Sequence, residues 1–110
     1  MVNETLSEVK QKVESADSIN DEKKKELLDL LSVLQSEIEQ LPPAQSDHAE
    51  SVVRFAQVST HEATRKDKSP QLYQLSLEGL AASVKDFEVS RPRLTEIVNS
   101  ICTALSNLGI

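Results

Sequence analysis

Apolar residues in this chain recur at steps of three and four, the spacing that lines one face of an α-helix, and five stretches carry the pattern. The clearest is the last. Leu94, Val98, Ile101, Leu105 and Leu108 form a seam flanked by Ile97 and Ala104, with Pro92 in the first turn and Ser90 or Arg91 as cap. Gly109 follows where a left-handed C-cap residue belongs, and Ile110 where the accompanying apolar contact belongs. The spacing predicts a helix over 92–108. Its opposite face, Thr95, Glu96, Asn99, Thr103 and Ser106, is so weakly charged that partial cover by another subunit is expected.

The other four stretches read as follows. Leu6, Val9, Val13 and Ala16 make a narrow stripe over 3–16, with Asn3 as N-cap, which places that helix at the edge of the fold. Asp17-Ser18-Ile19-Asn20 breaks it. Over 21–40, Leu27, Leu31, Leu34, Ile38 and Leu41 step as a heptad seam that Leu28 and Leu30 widen, a stripe broad enough for a central helix with two partners. Pro42-Pro43 stops it, because the residue before a proline is pushed out of the helical region. Asp47 with Glu50 has the capping-box spacing for a helix over 48–66, whose face of Ala49, Val52, Val53, Ala56, Thr60 and Ala63 is small enough for close approach. Ser69-Pro70 opens a helix over 70–88 with the seam Tyr73, Leu77, Leu80, Val84 and Phe87; Leu72 and Leu75 lie beside it, and Gly79 inside it either admits a close neighbour or is neutral. One continuous helix kinked at Pro92 is the alternative for the last two stretches. The fold class is all-α, a small bundle of four to five amphipathic helices in a single domain, 1–110, with the second, fourth and fifth helices making the core.

Composition supports a folded chain. Leu, Ile, Val and Phe make up about 28% of it, above the roughly 20% that marks disorder. Three aromatics and two glycines suit helices better than a sandwich or barrel. The net charge of −6 is concentrated in residues 1–41. Clustered basic residues for a phosphate backbone are missing, so no nucleic-acid partner is expected; Lys23-Lys24-Lys25, flanked by acids, reads as a solvated helix face. No signal peptide and no membrane span are expected, and a lone Cys102 suits a reducing compartment. The expected location is the cytoplasm.

Candidate chemistry is thin. His61-Glu62-Ala63-Thr64-Arg65 puts Arg where a zinc-protease helix needs its second His, leaving a surface Glu62–Arg65 pair. His48 reads as a first-turn surface residue, and Cys102, at the margin of an apolar stripe, as a structural thiol. Two glycines cannot build a phosphate loop. No enzyme, cofactor, metal site or small-molecule substrate is expected.

The C-terminal half, Leu77 to Phe87-Glu88, Ser90-Arg91-Pro92-Arg93-Leu94 and Leu105-Ser106-Asn107-Leu108-Gly109-Ile110, resembles a family of short bacterial proteins classed as a domain of unknown function. The family pattern is a Phe-Glu pair, a proline-opened last helix and a Gly-Ile ending; Arg91 stands where that pattern has His. The resemblance implies a helical build and bacterial origin, and supplies no activity, cofactor or catalytic residue. From the residues themselves, Phe55 and Val58, large apolar side chains off the third helix's stripe, mark a possible interaction surface. The leading expectation is self-association as a homo-oligomer or binding to a helical protein partner. The alternative is a small acidic regulator or chaperone-like protein that engages a basic client through residues 1–41.

Overall fold

Local signals position five helices: α1 (Val2–Ser15), α2 (Asp21–Glu39), α3 (Ser46–Thr64), α4 (Pro70–Ala82) and α5 (Pro92–Ser106), with 3-10 turns at Pro43–Gln45 and Lys85–Phe87. They are seen in a computed structural model that describes residues 2–108. The expected cap at Gly109 and Ile110 lies outside the described residues. Asn20 accepts the Lys23 N–H at 2.9 Å and Ser69 accepts the Leu72 N–H at 3.3 Å, each satisfying a donor that the first turn would leave orphaned. Two expected caps differ. Asn3 lies inside α1 and its side chain accepts from Gln35; Asp47 lies inside the first turn of α3, because the preceding 3-10 turn runs straight into that helix.

The helices close a ring. α1 packs against α2 and α3, α3 against α4, α4 against α5, and α5 returns to α2, while α3 and α5 also meet across the middle. Leu6, Val9 and Val13 of α1, Leu27, Leu31 and Leu34 of α2, Val52 and Ala56 of α3, Leu80 of α4, and Leu94, Val98 and Leu105 of α5 are buried in one cluster. Each such leucine or valine side chain contributes about 1.5–3 kcal/mol relative to exposure, and the Ala56 methyl less.

This arrangement corrects the expected order of the helices. α1 is not an edge element, since it packs against both α2 and α3; α2 has the two partners expected of it, but α3 and α5 each meet three other helices. Small residues contribute to this: Ala49, Val53, Ala56 and Thr60 let other helices approach α3 closely, so even the narrow stripe of α1 is buried at Leu6, Val9 and Val13, with Ala16 partly covered. The broad stripe of α2 is covered only in part, with Leu28 and Leu30 half-buried. Ile19, in the break between α1 and α2, is also buried.

α4 is shorter than its apolar seam. It stops at Ala82, where the Ser83 hydroxyl donates to the Leu80 carbonyl at 2.6 Å, and the chain tightens into the Lys85–Phe87 turn. That change of pitch still brings Val84 and Phe87 into the core. Arg91 is the N-cap of α5 with φ −139° and ψ 65°, outside the helical region, so α4 and α5 are separate helices even though the Arg91 N–H still donates to the Phe87 carbonyl at 2.7 Å.

The lysine run has a structural role instead of being only a solvated face. Lys23 Nζ donates to the Asn107 carbonyl and Lys24 Nζ to the Glu14 carbonyl, each at 2.9 Å. Two cations in the first turns of α2 therefore satisfy free carbonyls just beyond α5 and at the end of α1, where the helix dipoles favour positive charge.

Candidate interaction surface

The α3–α4 pair is knit by two contacts that set its register. Ser59 Oγ donates to the Ser76 carbonyl at 3.0 Å, and the Phe55 ring rests on Gly79, where an added Cβ would stand 2.3 Å from Cε1. Residue numbers rise along α3 as they fall along α4, so the pair is antiparallel with 55 level with 79 and 59 level with 76. Gly79 thus admits a side chain. Ser76 in turn donates to the Tyr73 carbonyl at 2.7 Å, which satisfies the buried hydroxyls of this seam.

On the outer side of the seam the apolar residues are left uncovered. Phe55 is 40% exposed, Val58 46%, Leu72 47% and Leu75 53%. At 100° per residue, Phe55 and Val58 lie on the flank of α3 that borders α4, and Leu72, Leu75 and Gly79 share the matching flank of α4. The two sequence candidates are therefore brought together, and Leu72 and Leu75 join them. The signal for these two was present, since both fall outside the Tyr73–Phe87 seam. Four half-exposed side chains expose an apolar area on the order of 300 Å², the size at which a patch on a monomer is often functional. Val89, 94% exposed, stands apart in the turn before α5.

Charge frames this patch sparsely. Arg54, on the far flank of α3, is exposed and paired with Glu50 at 2.8 Å; Glu78, on the far flank of α4, has only Gln74 beside it at 3.4 Å. At the lower end Glu62 meets Arg65 at 2.9 Å. That pair is not a surface pair, because the Glu62 side chain is only 9% exposed.

The remaining candidates do not converge. His61 Nδ1 accepts from Lys12 Nζ at 3.0 Å, which places its own N–H on Nε2. His48 is more than a first-turn surface residue: its ring meets Phe87 edge-on at 5.5 Å and its Nε2 lies 3.4 Å from Asp86. Cys102 is half-buried, and burial pushes its thiol pKa up, the opposite of an activated nucleophile. Tyr73 is buried with its hydroxyl donating to the Leu105 carbonyl, and burial raises its pKa as well. Among the described residues no group of three or more His, Cys, Asp or Glu could hold a metal ion.

Open grooves also mark the surface, among them two of interest. One, of about 700 Å³, runs between α2 and α5 and is lined by Glu26, Leu30, Thr95, Glu96, Asn99 and Thr103. It contains the weakly charged face of α5, where Thr103 donates to the Asn99 carbonyl at 3.1 Å and Ser106 to that of Cys102 at 2.8 Å, while the Thr95 hydroxyl faces the Val84 and Arg91 carbonyls, each at 3.4 Å. The other, of about 430 Å³, lies at the end of the bundle between Val2, Ile38, Pro42 and Ala49.

An all-α bundle with an uncovered two-helix face and no convergent reactive groups has the build of a small helical protein without strands among its described residues. The chain belongs to the family described as Domain of unknown function (DUF4404), which it matches over residues 29–110, from the middle of α2 through α5. No curated protein and no solved structure matches it. No helix is long and apolar enough to cross a membrane among the described residues.

Proposed function

We propose that this chain is a non-catalytic, cytoplasmic protein-interaction module that associates through the α3–α4 face, with a copy of itself or with another helical protein. One observation carries the reading. Of the five large hydrophobic side chains exposed among the described residues, four lie together on that face. Their cover would remove apolar area from water at about 25 cal/mol per Å². The raised thiol of Cys102 and the scattered histidines supply no competing catalytic centre. Molar mass by light scattering over a hundredfold concentration range tests self-association: mass should rise with concentration and fall back in Leu75→Ser. A strict monomer at every concentration, unchanged in Leu75→Ser, refutes self-association.

A second reading, an acidic regulator binding a basic client through residues 1–41, is favoured by one observation. Lys10, Lys12, Lys23 and Lys24 are drawn to Gln35, His61, Asn107 and Glu14, while Glu4, Glu22, Glu26 and Asp29 stay exposed. A client held by charge would wash off at high salt, whereas a partner on the apolar face would stay.

A further inference from the structure

We infer that the partner on the α3–α4 face is a second copy of this chain, related by a two-fold axis parallel to the two helices, so that α3 of each copy lies on α4 of the other. The inference rests on the reading that this face associates at all, and adds who the partner is and how it sits.

The first ground is shape. A single foreign helix would dock in the groove between α3 and α4, but the Phe55 ring fills that groove against Gly79, and Ser59 and Ser76 close it one turn further on. What remains is a broad surface of two helices. α4 has 13 residues, so the face is about 20 Å long and, at 8–10 Å between axes, about 20 Å wide. A face of that size, about 400 Å² on each copy, is about half of the roughly 800 Å² each partner contributes to a standard interface, the scale of a weak, concentration-dependent dimer.

The second ground is charge. The exposed flank of α3 carries a base, Arg54, which rests on Glu50 one turn back at 2.8 Å and would exchange that partner for one across the axis, and the exposed flank of α4 carries an acid, Glu78. The register set by 55 with 79 and 59 with 76 puts Arg54 level with residue 80, two residues or about 3 Å along the axis from Glu78. A two-fold axis parallel to the helices keeps each residue at its own level and exchanges the flanks. Arg54 of one copy then meets Glu78 of the other, twice per dimer, on the rim of a patch made by Phe55, Val58, Leu72 and Leu75. An axis across the helices would instead set α3 on α3 and bring like charges to the same flank. Isologous contact of this kind closes on itself and yields a dimer, not a filament.

The test is a charge exchange read by sedimentation equilibrium, with circular dichroism confirming that each variant is folded. Arg54→Glu alone and Glu78→Arg alone should each weaken dimerisation at least about fivefold, since two attractions per dimer become two repulsions. Mixing the two single variants should restore the wild-type dimer, because each then meets its complement across the axis. The mixture separates this contact from any effect inside one chain. Singles that dimerise like wild type, or a mixture no tighter than its components, overturn the arrangement. If Leu75→Ser still breaks the dimer in that case, association through the face survives and only the geometry fails. A wild-type chain that remains a monomer throughout overturns the two-fold dimer and, with it, self-association, leaving a different helical protein as the partner of the face.

Discussion

Gly79→Ala should lower stability slightly in the intact chain and raise it once Phe55 is gone. Alanine gains about 1 kcal/mol over glycine in a helix interior. Against this, the new methyl would stand 2.3 Å from Cε1 and 2.6 Å from Cδ1 of Phe55, far inside contact distance. The ring must leave, and because it is already 40% exposed it can swing outward without disturbing the backbone. Burying a phenylalanine fully contributes about 1.5–3 kcal/mol, so losing the part still covered costs about 1–2 kcal/mol. The balance is a destabilisation of up to about 1 kcal/mol. In a Phe55→Ala background the notch is empty, and the same substitution should stabilise by about 1 kcal/mol. Urea unfolding followed by circular dichroism, at a protein concentration low enough to keep the chain monomeric, measures both legs of the cycle. Equal stabilisation in the two backgrounds would refute the placement of the Phe55 ring on Gly79, and with it the register of the α3–α4 face.

Three further expectations follow from buried or capping charges. Arg65→Ala takes the 2.9 Å ion pair from the carboxylate of Glu62, whose side chain is 9% exposed while that of Arg65 is 30% exposed, and leaves it the His61 Nε2 at 3.9 Å, at a cost of about 1–2 kcal/mol; adding Glu62→Gln should recover part of the loss, and a double variant less stable than Arg65→Ala would contradict a buried charge pair. Lys24→Met keeps the aliphatic stem but removes the cation on the Glu14 carbonyl, so about 0.5 kcal/mol should vanish in a way that shrinks with added salt; a penalty indifferent to salt would point to packing alone. Cys102 has its pKa raised above the ordinary 9.0 by burial, so as pH rises through 9 the unfolded chain releases its thiol proton first. The stabilisation held below that pH is then lost as pH climbs through the higher folded value. The urea midpoint should fall more steeply above pH 9 than in Cys102→Ala, and identical slopes would remove the thiol from the account.

The helices were legible wherever a cap and an apolar period agreed. Asn20 before the leucine seam and Ser69-Pro70 before Tyr73 mark α2 and α4 almost to the residue, because a cap is satisfied by groups within one turn. The end of α4 was not legible. Val84 and Phe87 continue its period, yet Ser83 takes up its own helix's carbonyl and the chain reaches the core by a tighter turn; periodicity reports which side chains are buried, not the pitch that buries them. The rank of the helices was hidden for a related reason, since the width of a stripe says how much a helix can bury, while the small residues of α3 decide how near its neighbours come. Half of the candidate surface was visible in Phe55 and Val58. Leu72 and Leu75 needed the register of α3 against α4, which depends on a hydroxyl meeting a carbonyl 17 residues away and on a missing Cβ at Gly79.

Closing the helix ring makes the order of synthesis matter. α2 pairs with α5, and Lys23 reaches the Asn107 carbonyl across 84 positions of sequence. Until the last helix has left the ribosome, the leucine face of α2 that α5 covers has no partner within the chain. Loop closure over that distance comes late and slowly compared with the neighbouring hairpins α1–α2 and α3–α4. Before α5 emerges, the α2 flank that bears Lys23 and Leu30 and faces α5 has no cover from that helix, and a chain cut short before α5 should expose it and be prone to association.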